Sequence, residues 1–171
     1  MDPNNTEKIF LEGYDALADA LFRHCYFRMS DRERAKDIVQ DAFVKTWRYL
    51  AAGKGIHNLK AFLYRVVDNE IIDYSRKRKE QSLDALMEEG FDVGSLDTEM
   101  RIERLDAKRA LAYLDYLDER SRQVVVMRFI DDLGPKQIAE VTGERENIIS
   151  VRIHRALAKL RKIITDHEAH H

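Results

Sequence analysis

The sequence predicts an all-α protein made of two small helical domains joined by an acidic, flexible linker. Three observations support this fold class. Only 7 Gly and 2 Pro occur among 171 residues, so few positions disfavour a helix. Apolar residues recur at spacings of three and four, the pattern of an amphipathic helix. Alternating Val, Ile and Thr runs bounded by turn residues, which are typical of strands, are missing.

The N-terminal domain is predicted over residues 8–80, with three to four helices of which three are placed. Each of the three has its own apolar stripe, and polar or glycine-containing segments separate the stripes. Basic residues close the third helix, which suits the negative end of a helix dipole. The stripes run over residues 14–29, 35–47 and 59–74, with breaks at Ser30, at Asp31 and in the loop 51–55.

A linker is predicted over residues 81–104. Apolar residues thin out there and acidic residues gather around Gly90 and Gly94. Between Gln81 and Asp106 eight acids oppose two arginines, whereas between Arg145 and Lys162 six bases oppose one acid. This segregation predicts different roles for different segments, although the formal net charge of the chain is only −2.

The C-terminal domain is predicted over residues 105–165. Its first helix carries a leucine stripe that begins at Leu105 and continues to Leu117. Ser121 is a candidate N-cap for a second helix that runs from Arg122 to Ile130, because its hydroxyl can accept a hydrogen bond from a free backbone N–H.

A helix-turn-helix is predicted at the end of this domain. Gly134 and Pro135 begin a short helix that reaches Val141, since proline is favoured in the first helical turn. Gly143 provides the turn, and a long basic helix follows over residues 147–164. Two helices joined by a tight glycine-containing turn, the second of them basic, are typical of this DNA-binding motif.

The long helix is predicted to present a cationic face. Arg152, Arg155, Lys159 and Lys162 follow one another at steps of three, four and three, so they share one side of a helix. A solvated basic surface would explain the charges alone. Together with the helix-turn-helix geometry, the charges favour contact with DNA.

The second helix carries a candidate docking face. Asp37, Asp41, Val44 and Arg48 lie within about 40° of one direction at 100° per residue, and Gln40 flanks them. Two carboxylates beside an exposed valine suit contact with another protein better than catalysis, because no nucleophile accompanies them. A merely solvated face is the alternative, and the pattern alone does not decide between the two.

The third helix carries a mixed basic and amide face. Arg65, Asn69, Ile72 and Arg76 recur at steps of four, three and four. Amides and arginines can contact the edges of unstacked bases, and the glycine-containing loop before the helix could enclose such a base. Ordinary surface polarity is the alternative.

Several classes of function are excluded on composition and motifs. The single cysteine, Cys25, rules out an internal disulfide and lies among apolar residues, which favours a packed core thiol. His24, His57 and His154 lie on different predicted elements, so we expect no metal site and no cofactor. No phosphate loop or catalytic triad occurs, so an enzyme is not expected. No apolar run approaches the roughly 20 residues of a membrane span, and we expect the protein to stay in the cytoplasm.

Two parts of the sequence resemble the extracytoplasmic-function (ECF) sigma factors of the sigma-70 family. The stretch from Arg34 to Trp47, which includes Asp37-Ile38-Val39-Gln40-Asp41, resembles the polymerase-binding helix of that family. The stretch from Ala61 to Asn69, followed by Asp73, Tyr74 and Arg76, resembles its helix for the minus-ten promoter element. The C-terminal match to the minus-thirty-five domain covers residues 117–129, Leu133, residues 137–143 and residues 152–156.

The resemblance implies a division of labour between the domains. The first would bind core RNA polymerase and the melted minus-ten strand, and the second would contact duplex DNA at the minus-thirty-five element. An anti-sigma factor is an implied partner, and no membrane insertion is implied. The implied polymerase-binding residues are Asp37, Gln40, Asp41, Val44 and Arg48; the minus-ten residues are Arg65, Asn69, Ile72 and Arg76; the minus-thirty-five residues are Asn147, Ser150, Arg152, Arg155 and Lys159.

The chain departs from the family pattern where it would contact the upstream element. Asn147 and Ile148 stand where the family usually has Gly-Thr, Ser150 replaces a basic residue, and Val151 replaces a small polar one. Two rival functions remain open: a sigma-like decoy that binds an anti-sigma factor, and a stand-alone helix-turn-helix regulator.

Overall fold

The computed structural model describes residues 3–84 and 112–168, and in these ranges the chain is helical and contains no strand. The predicted all-α fold is therefore confirmed. The predicted linker beyond Asp84 and the beginning of the C-terminal domain, residues 105–111, lie outside the described residues. The helices are α1 (Pro3–Met29), α2 (Arg32–Ala51), α3 (Leu59–Asp84), α4 (Glu119–Phe129), α5 (Pro135–Thr142) and α6 (Glu146–Glu168).

Helices α1, α2 and α3 pack against one another around a buried apolar core. Leu21, Ile38 and Leu63 contribute one fully buried side chain from each helix. Cys25 is also buried, as predicted, and burial raises the pKa of its thiol to about 12. The turn between α1 and α2 lies where the apolar pattern breaks, since Asp31 caps α2 by accepting a hydrogen bond from the backbone N–H of Arg34 at 2.9 Å.

Two predictions about this half need correction. Tyr14 and Trp47 belong to the predicted apolar stripes, but they are 48% and 38% exposed. They lie at the rim, where Phe10 and Phe43 pack against them in an aromatic cluster. Helix α3 also continues to Asp84, four residues into the segment predicted as linker.

The predicted N-cap of α4 is wrong by three residues. The helix begins at Glu119, and Asp118 is its cap. One carboxylate oxygen of Asp118 accepts from the backbone N–H of Ser121 at 3.0 Å, and the other accepts from the Ser121 hydroxyl at 2.7 Å. Both residue types are good caps, and Asp118, which lies one turn earlier, forms this one.

The helix-turn-helix is confirmed as α5 and α6. Helix α5 begins at Pro135, with Gly134 as its cap and the Gln137 side chain accepting from the Gly134 N–H at 2.9 Å. Gly143 ends α5 with φ at 74°, a left-handed conformation that disfavours residues with a Cβ. Helix α6 then starts at Glu146 and packs on α4 and α5.

The two halves of the chain pack on each other, which the sequence did not predict. Helix α1 contacts α4, and α3 contacts α5. Val124, Met127, Leu133 and Ile138 from the C-terminal half are fully or almost fully buried in the same apolar cluster as the core of α1 to α3. One apolar cluster therefore spans both halves of the described residues, and a second, smaller one lies around Leu117, Val126 and Ala156.

Candidate functional site

The predicted docking face lies on the outer side of α2. Asp37, Gln40, Asp41, Val44 and Arg48 are all exposed, and Val44 keeps 46% of its surface in solvent. The opposite side of the helix is fixed in the core by buried apolar residues between Ala35 and Leu50. The structure thus brings these side chains together on one rigid, solvent-facing surface. An exposed valine beside two carboxylates is suited to contact with a second protein.

The predicted minus-ten face lies on α3. Arg65, Asn69, Ile72 and Arg76 are exposed along one side of the helix, and Arg76 forms a surface pair with Asp73 at 3.3 Å. Arg65 is already engaged with the other half of the chain. Its Nη2 donates to the backbone carbonyl of Glu140 at 2.6 Å, so the guanidinium lies against the C-terminal end of α5.

The outward face of α6 differs from the predicted row of free cations. Arg155 and Lys159 are exposed, as are Asn147 and Ser150. The Arg152 guanidinium, in contrast, forms a bidentate pair with the carboxylate of Glu144, at 3.0 and 2.7 Å.

This pair lies at the helix-turn-helix turn, and the side chains of Arg152 and Glu144 are only 17% and 26% exposed. The Arg152 guanidinium, through this hydrogen-bonded pair, holds the pKa of Glu144 below its usual range. Arg152 therefore holds the turn of the motif against the first half of α6, and its charge is already compensated.

A buried polar network joins the two halves, and sequence reasoning missed it. His24 on α1 lies between two carboxylates: its Nδ1 is 2.6 Å from Asp131 and its Nε2 is 3.1 Å from Asp68. Arg28, one turn further along α1, donates to Asp68 at 2.6 Å and to Glu119 on α4. The only signal in the sequence is that two basic side chains interrupt the apolar stripe of α1.

The network carries charge inside the protein. Burial lowers the pKa of His24, but Asp131 and Asp68 outweigh this effect and raise the pKa to about 9. Burial raises the pKa of Asp68, but Arg28 and His24 outweigh it, and the pKa lies below its usual range. Gln123 on α4 donates to the second oxygen of Asp68 at 2.9 Å. At neutral pH the two cations His24 and Arg28 thus face three carboxylates that come from three different segments.

No helix in residues 3–84 or 112–168 has the length and apolar character to cross a membrane. In the same ranges, no three histidine, cysteine, aspartate or glutamate side chains come together as metal ligands.

The fold defines a helical protein in which a three-helix half is joined to a helix-turn-helix half. Two family models identify it further. The model for Sigma-70 region 2 matches residues 14–81, and the model for Sigma-70 region 4 matches residues 107–160. Together they cover more than two thirds of the chain and occur in the order that the resemblance implies. The chain belongs to the sigma-70 family and is an RNA polymerase sigma factor of the ECF type.

Individual relatives agree with the family models. The chain is 28% identical over 144 residues to RNA polymerase sigma factor SigV of Bacillus subtilis, which covers 84% of both proteins. It is also 28% identical over 167 residues to ECF RNA polymerase sigma factor SigW of the same organism, covering 92% of this chain and 89% of SigW. Both relatives are sigma factors, which are regulators of transcription rather than enzymes.

Two solved structures resemble the whole fold. CnrH, solved in complex with the cytosolic domain of CnrY, superposes with a TM-score of 0.72 at 25% identity and covers 94% of this chain and 90% of CnrH. The sigma factor RpoE, solved with the anti-sigma factor NepR from Bartonella quintana, gives a TM-score of 0.71 at 21% identity and covers 92% of this chain and 98% of RpoE.

Proposed function

We propose that this sigma factor binds core RNA polymerase through the outer face of α2, defined by Asp37, Gln40, Asp41, Val44 and Arg48. The observation that supports this assignment most directly is the shared exposure of these side chains on a helix whose other side is buried. Val44 offers apolar area at the centre of the face, and the charged side chains surround it. This arrangement of an apolar centre within a polar rim is common in protein interfaces.

The outer face of α3 would contact the minus-ten element. Asn69 and Arg76 supply amide and guanidinium donors, and the exposed Ile72 between them can pack against an unstacked base. Arg65 would join this surface only after it leaves the carbonyls of α5. Helix α6 would contact the minus-thirty-five element, with Arg155 and Lys159 facing the DNA phosphates.

These roles require the two halves to separate. Duplex DNA rises about 3.4 Å per base pair, so the minus-ten and minus-thirty-five elements lie roughly 85 Å apart. Two halves that are packed together through a shared apolar cluster cannot contact both elements at once. We propose that the packed arrangement belongs to the sigma factor away from polymerase, and that an anti-sigma factor binds it in this state. CnrH, which this chain resembles in fold, was solved in complex with a second protein, the cytosolic domain of CnrY, and this likeness supports binding of a protein partner.

The docking assignment is tested by charge reversal. Asp37→Arg combined with Asp41→Arg places two repulsive charges on the proposed face without touching the core. The matched control is Asp15→Arg combined with Asp19→Arg, because these acids are also exposed and one turn apart, but lie on α1. The docking variant should fail to co-elute with bacterial core polymerase, whereas the control should co-elute like the parent. Co-elution of both variants would contradict the assignment.

Separation of the halves is tested by energy transfer. Lys36→Cys on α2 and Lys162→Cys on α6 place dyes on exposed positions in the two halves, and Cys25 is buried and should remain unlabelled. Transfer should be high in the free protein and should fall when core polymerase is added. Unchanged transfer in the polymerase complex would refute the separation.

A further inference from the structure

The first turns of α6 present two apolar side chains to solvent. Ile148 and Val151 are 43% and 48% exposed, although α6 already has a buried face formed by Ile149, Ile153 and Ala156. The two exposed residues are three positions apart, so they are neighbours on the outer side of the helix. Packing within the described residues does not account for branched apolar side chains at these positions.

The position of this pair within the motif is informative. In a helix-turn-helix, the N-terminal residues of the second helix reach the base edges in the major groove. At 100° per residue, Ile148, Val151, Arg155 and Lys159 lie within about 80° of one another. The outward stripe of α6 is therefore apolar where bases would be contacted and cationic further along, where phosphates would be contacted.

We propose that Ile148 and Val151 recognise the C5 methyl groups of thymine in the minus-thirty-five element. This inference rests on the proposed role of α6 at that element. The thymine methyl is the apolar group that base pairs present in the major groove. Burial of an exposed apolar side chain against it removes both from water, which is favourable.

The neighbouring side chains also favour A·T pairs. Asn147 is exposed beside Ile148, and an Asn amide pairs with the N6 and N7 atoms of adenine. A single A·T pair offers both the adenine edge and the thymine methyl. Arginine and lysine, the residues that most often contact guanine, are missing from residues 147–151, and Arg152 is paired with Glu144. The first turns of α6 thus present side chains that can contact A·T pairs, and they present no unpaired arginine or lysine that could contact guanine.

The test uses deoxyuridine, which pairs with adenine as thymine does but lacks the methyl group. Holoenzyme made from the full-length chain and core polymerase first selects active promoters from a library randomised across the upstream element. Each thymine in a selected element is then replaced by deoxyuridine, and transcription is measured. Uracil at one or two positions should reduce transcription about fourfold, the fold-change that corresponds to burial of one methyl group.

Two variants show whether the apolar pair causes this effect. Ile148→Ala combined with Val151→Ala should transcribe more weakly from the thymine template and should lose the difference between thymine and uracil. Phe129→Ala, which removes a 54% exposed side chain from α4, should keep that difference. Equal uracil sensitivity in the parent and the double variant would overturn the inference.

Other outcomes separate this inference from the proposed function. Active promoters with no uracil-sensitive position would overturn thymine recognition and leave the sigma-factor assignment standing. Double variants that transcribe normally but no longer bind an anti-sigma factor would also overturn it, because the apolar pair would then be a protein contact. Failure of the holoenzyme to transcribe from any library template would overturn the proposed function and this inference with it.

Discussion

Asp68 should be the side chain whose loss most weakens the contact between the two halves. It is 4% exposed and accepts hydrogen bonds from His24, Arg28 and Gln123, at 3.1, 2.6 and 2.9 Å. Asp68→Asn keeps the shape of the side chain but removes its charge, which leaves two buried cations with fewer carboxylates. Loss of one partner from a buried ion pair typically costs about 3–5 kcal/mol, and we expect about 3 kcal/mol because the amide can still accept.

Urea unfolding at pH 7, followed by circular dichroism, measures this effect. With an m-value of about 2 kcal/mol/M, a loss of 3 kcal/mol moves the midpoint down by about 1.5 M. Asp73→Asn is the matched control, because it lies on the same helix in an exposed pair with Arg76 and should cost less than about 0.5 kcal/mol. Equal midpoints for the two variants would refute the role assigned to the network.

Three further predictions concern pH, the turn and the outer face of α6. The free energy of unfolding should fall by on the order of 3 kcal/mol as the pH rises from about 6.5 to about 9. The reason is that folding raises the pKa of His24 to about 9, so its stabilising charge is complete below pH 6.5 and lost above pH 9. Urea midpoints across this pH range measure the loss, and a flat profile would contradict it. Gly143→Ala should cost about 1 kcal/mol because φ is positive there, whereas Gly55→Ala should be nearly neutral, and similar melting temperatures for both would disprove the strain. Arg152→Ala should lower the unfolding midpoint, because the variant loses the bidentate pair with Glu144. Arg155→Ala should leave the midpoint unchanged and should weaken transcription from all promoters alike. A promoter profile that changes at a single base would contradict phosphate contact by Arg155.

The helices and the motif could be predicted from the sequence because local chemistry determines them. Gly143 stands where the chain needs a positive φ, and Pro135 stands in the first turn of α5. The outer face of α2 could also be predicted, because the spacing of its apolar residues already fixes which side is buried. Helix boundaries follow less directly from the sequence, as Asp118 and Ser121 show. Both residue types can cap a helix, and they lie three residues apart.

The contact between the halves could not be predicted, because it depends on residues far apart in sequence. His24 and Asp131 are separated by 107 positions, and His24 and Asp68 by 44. A lone histidine in an apolar stripe gives no indication of which carboxylates will surround it. The pairing of Arg152 with Glu144 was missed for a related reason, since the two residues belong to a turn and a helix and share no helical spacing. Whether a charged side chain is free on the surface can therefore be decided only from the structure.

The central claim, that this chain directs polymerase to promoters, is tested most directly by run-off transcription. Purified protein and bacterial core polymerase are incubated with genomic fragments of the source bacterium, and the 5′ ends of the transcripts are mapped. We expect discrete 5′ ends that require the protein, that share sequences near minus ten and minus thirty-five, and that disappear with Asp37→Arg combined with Asp41→Arg. Start sites identical with and without the protein, or unaffected by the double variant, would contradict the account.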